Sequence, residues 1–536
     1  MVIYSKYPHR EYPNDTSLYN LIFSKDRTVV PQDKLIYTDI ENPERSVTFA
    51  QAHIQILKTG ANLQNKFGFQ KDDVIAICSP NQVAYPILLL GAHTIGGISA
   101  AIDHASSPER IASDFDIARP KLVVAHIDTI DSVLAAAKIY GLDESHILIF
   151  GDTDMKGART VDATLLSGDE LATPYEYTPE QIGNDPAYLY FTSGTTGRKK
   201  AVKVTQRMII TSLILIEEFS LPSANMLAYT EFHHASSLLT AIHQPLYCGI
   251  TVYVMPHFTF IGICEAIQKY KIAFMVAQPY IVSSMAKDKI AAEYDFSSLQ
   301  CIMCCGAALD QNITLTAKER LGLNVINGFG MTELFGLFRT TPAITLANGL
   351  GYLAPGYSAK LINDEGNEVP IGQMGELCVK GPTMTTGYYR NPEATAALID
   401  TEGYLHTGDL LRCDEEGMFY YVDRSKDLIK YGLEHIYPSD IENVLMTHPK
   451  VSDCAVIGFY SQELTTELPR AYVLLASHEK YSEAVERELK EYADSRLPDR
   501  KRLRGGLIIV KSFPRTASGK IQRRLLRQQA NEATKA

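Results

Sequence analysis

The chain has 536 residues, of which 46% are hydrophobic and 21% are charged, and its formal net charge is −11. This length suits two to four domains, and the composition excludes a fibrous, collagen-like or broadly disordered protein. The acidic balance argues against nucleic acid as the main partner, because phosphate binding needs a dominant basic surface.

The first part of the chain gives no sign of export or membrane insertion. Residues 1–15 lack the charged-then-apolar pattern of a signal peptide. Residues 74–102 carry no Asp, Glu, Lys or Arg and are long enough to span a bilayer, but polar residues, prolines and glycines interrupt them. We predict a buried strand, VIAIC, then a turn at SPNQ and a packed helix. A soluble, cytoplasmic protein is expected; the ending Thr-Lys-Ala differs from the peroxisomal Ser-Lys-Leu address.

The middle and the end of the chain differ in their pattern of apolar and turn-forming residues. From about residue 45 to 330, apolar runs such as KLVVAH, AYLYF and IAFMVA alternate with helical patterns, which favours α/β layers with largely parallel sheets. Residues 350–423 have short runs and frequent turns, which predict a smaller β-rich barrel or sheet. Mixed α and β patterns return after VDRSKD. We place a domain boundary near Arg424 to Lys426.

Nine cysteines are too few and too scattered for a secreted disulfide scaffold. The tightest group is Cys301, Cys304 and Cys305. Since no second cluster of His or Cys ligands follows at short spacing, we interpret them as small buried hydrophobes on a strand rather than as a metal site.

A loop rich in Gly, Ser and Thr follows a predicted strand in YLYFTSGTTGRKKAVKVTQ, residues 188–206. Glycines let backbone N–H groups converge on phosphate oxygens, and the hydroxyls and Lys200 add donors and charge. The spacing differs from GxxxxGK[ST], which disfavours a P-loop NTPase. A loop of this composition is also compatible with a simple flexible turn.

Further strings accompany this loop along the chain. They are EFHHASS (231–237), CGAAL (305–309), NGFGMTEL (327–334), GELCVKGP (375–382), GYLHTGDL (403–410), YVDRSKDLIK (421–430) and PRTASGKIQRR (514–524). Together with TSGTTG they resemble, in order, the signature strings of the adenylate-forming (AMP-binding) superfamily, which includes acyl-CoA synthetases, 4-coumarate–CoA ligases and luciferases. KRLRGG (501–506) and GYYRNPEAT (387–395) are similar to the coumarate-ligase and luciferase branch.

The resemblance implies an α/β fold with two domains. A large N-terminal domain, residues 1–424, would contain stacked α/β sheets and a small β-barrel. A small, mobile α+β domain, residues 425–536, would follow a hinge near Lys426. Its rotation would serve two half-reactions in turn.

The family reaction implied is the attack of a carboxylate on the α-phosphorus of ATP, followed by displacement of AMP by the thiol of coenzyme A. The catalytic residues implied are His233, Thr332, Glu333 and Lys520, with Glu333 as ligand of Mg²⁺. The ATP-binding residues implied are Thr192, Ser193, Gly194, Thr195, Thr196, Gly197, Lys200, Gly306, Ala307, Asn327, Gly328, Phe329, Thr332, Asp409, Arg424 and Lys520.

The acyl pocket implied is small, apolar and suited to an aromatic, cinnamic-like or medium-chain acid. Its residues are His234, Ala235, Leu238, Cys304, Gly330, Gly336 and Leu337. Thiol transfer would use Lys426 at the hinge and Lys430, Gly432 and Leu433 beside the pantetheine tunnel. Taken singly, Phe329 could be a core residue, and Asp409 with Arg424 could be a structural ion pair.

The sequence departs from the family pattern at a few positions. Lys199 and Ala201 stand where Pro and Gly are common, and Leu433 stands where family members usually have Gly. A bulky Leu433 could narrow the thiol tunnel, so coenzyme A transfer is less secure than adenylation. Two alternatives stay open: acyl transfer to a carrier-protein thiol on another chain, and luciferase-like oxidation of the adenylate. Non-catalytic nucleotide binding is disfavoured, because the residues Lys200, Glu333, Asp409, Arg424 and Lys520 are all present together.

Overall fold

The computed structural model describes residues 2–24, 26, 29–192, 199–217, 224–306, 309–432, 434–462, 464–476, 479–516 and 520–533. In chain order the strands are β1 (Ile3–Tyr4), β2 (Leu35–Asp39), β3 (Ser46–Thr48), β4 (Val74–Cys78), β5 (Ile98–Ala101), β6 (Leu122–His126), β7 (Ile147–Phe150), β8 (Arg159–Thr160), β9 (Pro186–Thr192), β10 (Lys200–Thr205), β11 (Asn225–Ala228), β12 (Thr251–Val254), β13 (Phe274–Ala277), β14 (Cys301–Cys305), β15 (Val325–Gly328), β16 (Phe338–Arg339), β17 (Tyr352–Leu353), β18 (Ser358–Ile362), β19 (Met374–Lys380), β20 (Leu405–Cys413), β21 (Phe419–Arg424), β22 (Ile429–Tyr431), β23 (Glu434–Ile436), β24 (Val451–Ser461), β25 (Thr466–Leu475) and β26 (Leu507–Val510).

The α-helices are α1 (Leu18–Phe23), α2 (Phe49–Phe67), α3 (Ala84–Thr94), α4 (Pro108–Ala118), α5 (Ile130–Tyr140), α6 (Pro179–Asn184), α7 (Gln206–Ile216), α8 (Ala235–Ser237), α9 (Gln244–Cys248), α10 (Phe260–Tyr270), α11 (Pro279–Lys287), α12 (Gln311–Leu321), α13 (Pro342–Leu346), α14 (Pro392–Leu398), α15 (Pro438–Met446), α16 (Glu483–Arg496) and α17 (Arg523–Ala533). In α2, for example, Thr48 and Gln51 form a capping box, and Gly68 ends the helix in the left-handed conformation.

A first seven-stranded sheet has the order β10-β9-β5-β4-β6-β7-β8. Its pairs are parallel except for the β9–β10 hairpin. Strand β4 shows why residues 74–78 are apolar throughout. Val74, Ala76 and Cys78 pack into one core cluster, and Ile75 and Ile77 pack into another on the opposite face.

The helix that follows β4 is equally enclosed, since every residue of α3 except Ala84 is buried. The predicted strand, turn and packed helix are thus confirmed, and the absence of charge in this stretch reflects burial in the protein. In the described ranges, no helix is long and apolar enough to cross a membrane.

A second seven-stranded sheet has the order β15-β14-β13-β11-β12-β2-β3, with only β2–β3 antiparallel. A large core cluster contains residues of both seven-stranded sheets and of α2, α3 and α7. The carboxyl ends of parallel strands, where α/β proteins place their ligands, are thereby fixed relative to one another.

Residues 350–424 form most of a five-stranded antiparallel sheet. Its order is β1-β18-β19-β20-β21, so the pairing runs from an N-terminal strand at one edge to β21 at the other. The sequence favoured a small barrel or sheet here, and the strand pairing is that of a sheet.

Residues from Ile429 onwards form a compact α+β arrangement. The hairpin β22–β23 and the three-stranded sheet β24-β25-β26 are accompanied by α15, α16 and α17. The predicted fold class, stacked α/β sheets followed by a small α+β part, is confirmed. The boundary after Arg424 coincides with the end of β21, whereas the hinge near Lys426 stays a prediction.

Polar contacts attach this C-terminal part to α11. Lys287 Nζ donates to the carbonyl oxygens of Met446 at 2.8 Å and of Val451 at 2.9 Å. Ser283 Oγ donates to the carbonyl oxygen of Ser452 at 3.3 Å. These contacts hold the segment between α15 and β24 against α11.

Candidate active site

A large cavity of about 1130 Å³ lies where the two seven-stranded sheets, the five-stranded sheet and the C-terminal part meet. Most of the predicted site residues line it. Those of the N-terminal part are Thr192, Lys200, His233, His234, Ala235, Gly306, Asn327, Gly328, Phe329, Gly330, Thr332, Glu333 and Gly336. Arg424, Lys426 and Lys520 line it as well, so motifs from the middle and the end of the chain converge on one space.

The predicted phosphate loop connects β9 to β10. Thr192 and Lys200 are direct cross-strand partners in this hairpin, and both line the cavity. Ser193, Gly194, Thr195, Thr196 and Gly197 lie outside the described residues. The two described ends of this loop therefore lie side by side at the cavity.

A buried carboxylate lies beside Lys200. Glu333 is 5% exposed, and its Oε1 accepts a 2.7 Å hydrogen bond from Tyr388 Oη. Lys200 Nζ lies 4.8 Å from the centre of the Tyr388 ring. Burial raises the pKa of Glu333, and the bond from Tyr388 opposes that shift. An acid so buried is costly to ionise, which suits a site where cationic groups compensate it.

Tyr388 was not predicted as a site residue. It stands in GYYRNPEAT, a string noted only for its branch similarity. Nothing in the sequence alone connects residue 388 with residue 333, because the pairing depends on how the segment before α14 folds back over the cavity.

Asp409 and Arg424 face each other across the β20–β21 pair. Arg424 Nε donates to Asp409 Oδ1 at 3.0 Å, and Asp409 is buried. Burial raises the pKa of Asp409, and Arg424 opposes this. The pair thus lies next to the cavity, which Gly408 and Arg424 line, and the guanidinium orients the buried carboxylate.

Lys520 reaches the cavity from the C-terminal part. Its backbone N–H donates to Thr516 Oγ1 at 3.1 Å, and the Thr516 N–H donates to its carbonyl oxygen at 2.8 Å. Burial lowers the pKa of Lys520, and Arg424 lowers it further. Lys430, the predicted transfer residue, is exposed and does not line the cavity.

Two further hinge and transfer residues can be placed only in part. Gly432 has a φ of +63° and its N–H donates to Thr466 Oγ1 at 2.8 Å. Leu433 lies outside the described residues. In this conformation Lys520, predicted as a catalytic residue, lines the cavity, whereas Lys430, predicted for thiol transfer, does not.

The cavity wall at β14 and β15 is closely packed. A Cβ at Gly328 would come within 3.0 Å of Met303 Cγ, so this glycine lets strands β14 and β15 approach. The ring of Phe329 packs edge-on against Phe338, with centroids 5.4 Å apart. Ala307 lies outside the described residues.

Three predicted pocket residues do not line the cavity: Leu238, Cys304 and Leu337 are buried in the core instead. On β14 the reason is the alternation of side chains along a strand. Cys301, Met303 and Cys305 face the cavity, whereas Cys304 points to the opposite side, into the core of α11 and α12. Applying the two-residue period to CIMCC would have found this face.

A charged cluster at the cavity edge also went unpredicted. Lys199 Nζ donates to Asp114 Oδ2 at 2.8 Å and lies 4.0 Å from Asp103 Oδ2. Burial raises the pKa of Asp114 to about 6, and Lys199 opposes the shift. Lys199, which the sequence showed only as a departure from a common Pro, thus forms an ion pair with the buried Asp114.

A family model described as "AMP-binding enzyme" matches residues 24–389, and one described as "AMP-binding enzyme C-terminal domain" matches residues 440–520. The chain is 29% identical over 504 residues to Luciferin 4-monooxygenase of Photinus pyralis, covering 90% of this chain and 91% of that protein. It is 29% identical over 518 residues to Phenylacetyl-CoA ligase epaB of Aspergillus niger, covering 93% and 94%. A solved structure of the anthranilate CoA ligase AuaEII with anthranoyl-AMP matches with a TM-score of 0.88 at 23% identity, covering 98% of this chain and 99% of that one.

Proposed function

The chain belongs to the family of AMP-binding enzymes, and on that premise we propose that it is an ATP-dependent ligase of a small carboxylic acid and coenzyme A. It would first form an acyl-adenylate and pyrophosphate, and then a thioester and AMP. The observation that carries the proposal is the convergence of Lys200, Glu333, Arg424 and Lys520 on one cavity. Relatives named as luciferin monooxygenase and CoA ligase both fit adenylation as the shared first step.

The first half-reaction brings two anions together, so its main requirement is positive charge placed beforehand. Lys200 and the loop it follows would hold the β- and γ-phosphates. Lys520 would lie between the reacting carboxylate and the α-phosphate, and Thr332 would donate to the α-phosphate. Because these groups are fixed by the fold, little reorganisation is needed when charge shifts to pyrophosphate.

The nucleoside would be held by groups at the edges of the cavity. Asp409, kept ionised by Arg424, would accept hydrogen bonds from the ribose hydroxyls. Phe329, with Gly306 and Asn327 nearby, would contact the adenine ring. Since ribose contacts position the substrate in both ground and transition state, they would contribute more to binding than to the rate of chemistry.

Glu333 fits a Mg²⁺ site. Hard cations of this kind take carboxylate oxygens, and Glu333 offers an oxygen beyond the one bonded to Tyr388. Bound Mg²⁺ would neutralise charge on the triphosphate. Tyr388 would hold the carboxylate in place for this purpose.

The acyl group would occupy the part of the cavity lined by His234, Ala235, Met303 and Gly330. His233, buried beside this wall, would face the carboxylate, and burial lowers the pKa of its imidazole. A neutral imidazole can donate one hydrogen bond to a carboxylate without a competing charge. The apolar wall suits an aromatic, cinnamic-like or medium-chain acid.

The second half-reaction would need a different arrangement of the C-terminal part. Lys430 would enter the site when residues after the hinge at Lys426 rotate, and coenzyme A would approach beside Gly432 and Leu433. A cytoplasmic location is also part of this proposal.

The test is carboxylate-dependent exchange of pyrophosphate into ATP, over a panel of aromatic, cinnamic and medium-chain acids, followed by mass spectrometry after addition of coenzyme A. Exchange followed by a thioester is expected with at least one acid class. Exchange without a thioester would favour a carrier-protein acceptor, and oxygen uptake or light would favour oxidation of the adenylate. No exchange with any acid, despite ATP binding, would contradict the proposal.

A further inference from the structure

Two histidines and a glutamate meet at the side of the cavity. His104 follows β5 in the first seven-stranded sheet, while Glu231 and His233 follow β11 in the second. Glu231 Oε2 lies 3.4 Å from His104 Nδ1 and 3.6 Å from His233 Nδ1. One ligand atom from each of the three side chains lies within 4.8 Å of the other two. The sequence gives no sign of this cluster, because residues 104 and 231 are far apart in the chain.

The same three atoms are buried without a hydrogen-bond partner among the described residues. They are His104 Nδ1, Glu231 Oε2 and His233 Nδ1. His233 is only 6% exposed, and its Nε2 is likewise unpartnered within the described part of the chain. A buried polar atom without a partner is destabilising, so three such atoms close to one another call for a shared partner.

A single proton between the groups does not satisfy them. A protonated Glu231 could donate to one imidazole at most, and both distances exceed the usual length of an O–H···N bond. The second imidazole would keep an unsatisfied nitrogen. A cation at the centre, in contrast, accepts electron density from two imidazole nitrogens and one carboxylate oxygen together.

The spacing matches a tetrahedral metal site. With ligands at about 2.0–2.1 Å from Zn²⁺, neighbouring ligand atoms lie about 3.3 Å apart. The two distances to Glu231 Oε2 are close to that value. Two histidines and one glutamate form a known zinc donor set that leaves a fourth position for water, and imidazole nitrogens disfavour Mg²⁺ and Ca²⁺. Asp103 Oδ1 lies 3.9 Å from His233 Nε2, on the side where metal-bound histidines often have a carboxylate.

We propose that His104, Glu231 and His233 form a binding site for Zn²⁺ or a similar borderline divalent cation, with water as the fourth ligand. The cation would join the carboxyl ends of β5 and β11, and thus the two seven-stranded sheets, beside the cavity. Bound at Nδ1, it would also fix the His233 ring with its proton on Nε2. The site is separate from the proposed Mg²⁺ site at Glu333.

A second cluster serves as the internal control. Glu376, Cys378 and His406 also have ligand atoms within 4.8 Å of one another. These atoms already have polar partners, however, one outside the cluster and one within it. Glu376 Oε1 accepts from the Gly408 N–H at 3.0 Å, and Cys378 Sγ contacts His406 Nδ1 at 3.5 Å. We therefore expect this cluster to bind no zinc while it keeps these contacts.

The test uses the full-length chain, stripped with a chelator and dialysed without nucleotide against micromolar Zn²⁺, with bound metal measured by elemental analysis. We expect one equivalent in the wild type. Glu231→Gln and His104→Ala should each weaken binding at least tenfold, and Cys378→Ser should leave it unchanged. Circular dichroism of each variant checks its fold. Absence of bound zinc in the wild type, or binding lost only in Cys378→Ser, would overturn the proposal.

A spectroscopic measurement keeps the test decisive if a variant does not fold. Wild-type protein loaded with Co²⁺ should show the visible bands of a four-coordinate site with nitrogen and oxygen ligands. A thiolate-to-cobalt charge-transfer band would place the metal at Cys378 and contradict the assignment. Zn²⁺ should also raise the thermal midpoint of the wild type, because a ligand that binds only the folded state stabilises it.

Discussion

Lys200 and Lys520 enter the same cavity from two parts of the molecule that are held in different ways. Lys200 lies on β10, in a sheet with a hydrophobic core on both faces. Lys520 lies in a loop before α17, where Arg523 pairs with Glu442 through Nη1–Oε1 at 2.5 Å and Nη2–Oε2 at 3.0 Å. The first position is fixed by packing and the second by ionic contacts that belong to the C-terminal part itself.

This difference between Lys200 and Lys520 corresponds to the two tasks that we assign to the site, which are nucleotide binding and the reaction itself. A wall built on sheets would hold a triphosphate in constant geometry. The C-terminal part is attached to α11 through Lys287, Ser283 and a shared apolar cluster, and is the part that we propose to rotate. Loss of the contacts that the C-terminal part makes in the cavity should therefore stop adenylation but leave nucleotide binding intact. The predictions below test this division.

The largest effect is expected from Lys520→Ala. Removing one preorganised donor to a developing charge typically costs about 10²–10³ in rate. We expect pyrophosphate exchange to fall by roughly that factor, while ATP affinity, measured calorimetrically, changes little. Lys511→Ala, at an exposed position outside the cavity, is the matched control. An unchanged exchange rate in Lys520→Ala would refute the role of this lysine.

A smaller effect is expected at the fixed wall from Tyr388→Phe. The change removes only the hydroxyl that donates to Glu333 Oε1, and a hydrogen bond to a charged group is worth about 1.5–3 kcal/mol. We expect exchange to fall roughly tenfold or somewhat more, together with weaker Mg²⁺ dependence. Tyr389→Phe, one residue along the chain and outside the cavity, should behave as the wild type. Equal effects of both variants would contradict the specific contact.

The free energy of unfolding should decrease at acid pH because of His243, which is buried in the core. Its two ring nitrogens are buried with no hydrogen-bond partner among the described residues, and burial lowers its pKa to about 3. The unfolded chain, with an ordinary histidine pKa, binds a proton at higher pH than the folded one. Stability is therefore retained above the unfolded pKa and falls as the pH drops, by about 2 kcal/mol between pH 7.5 and 5.

His243→Leu should remove that loss. Urea unfolding at several pH values measures it, and the variant's stability should decline less steeply below pH 6.5 than that of the wild type. His9→Leu, at an exposed histidine, should leave the slope unchanged. A wild-type slope in His243→Leu would show that other groups govern acid unfolding.

The smallest effect is expected from Lys287→Met, which deletes two hydrogen bonds between α11 and the C-terminal part. At about 1 kcal/mol net for each hydrogen bond, the arrangement with Lys520 in the cavity should be less populated. We expect a several-fold decrease in exchange with an unchanged thermal midpoint of the N-terminal part. Lys289→Met, two residues along and exposed, is the control. A loss of ATP binding would contradict the claim that the N-terminal sheets hold the nucleotide independently of the C-terminal part.

Much of the fold could be predicted from the sequence, because its periodic patterns are long and local. The charge-free stretch from Val74 to Ile102 was correctly interpreted as strand, turn and buried helix. The turn-rich segment before Arg424 was correctly expected to be β-rich. Most of the site residues that the motif strings predicted also line the cavity.

The rest depends on contacts between distant segments. Tyr388 bonded to Glu333, Lys199 paired with Asp114, and the cluster of His104 with Glu231 all join residues whose proximity no local pattern encodes. The placement of Cys304 in the pocket was wrong for a simpler reason: a one-residue shift along β14 turns a side chain to the opposite face. Matching a motif takes no account of the alternation of side chains between the two faces of a strand.

The most direct test of the central claim measures the two half-reactions separately in Lys520→Ala and Lys430→Ala, once an acid is known. Pyrophosphate exchange reports adenylation, and thioester formation from a presynthesised acyl-adenylate and coenzyme A reports transfer. We predict that Lys520→Ala loses exchange but keeps transfer, and that Lys430→Ala does the reverse. If Lys520→Ala lost both activities equally, or neither, this would contradict our claim that the N-terminal sheets hold the nucleotide while the C-terminal part supplies a different lysine for each half-reaction.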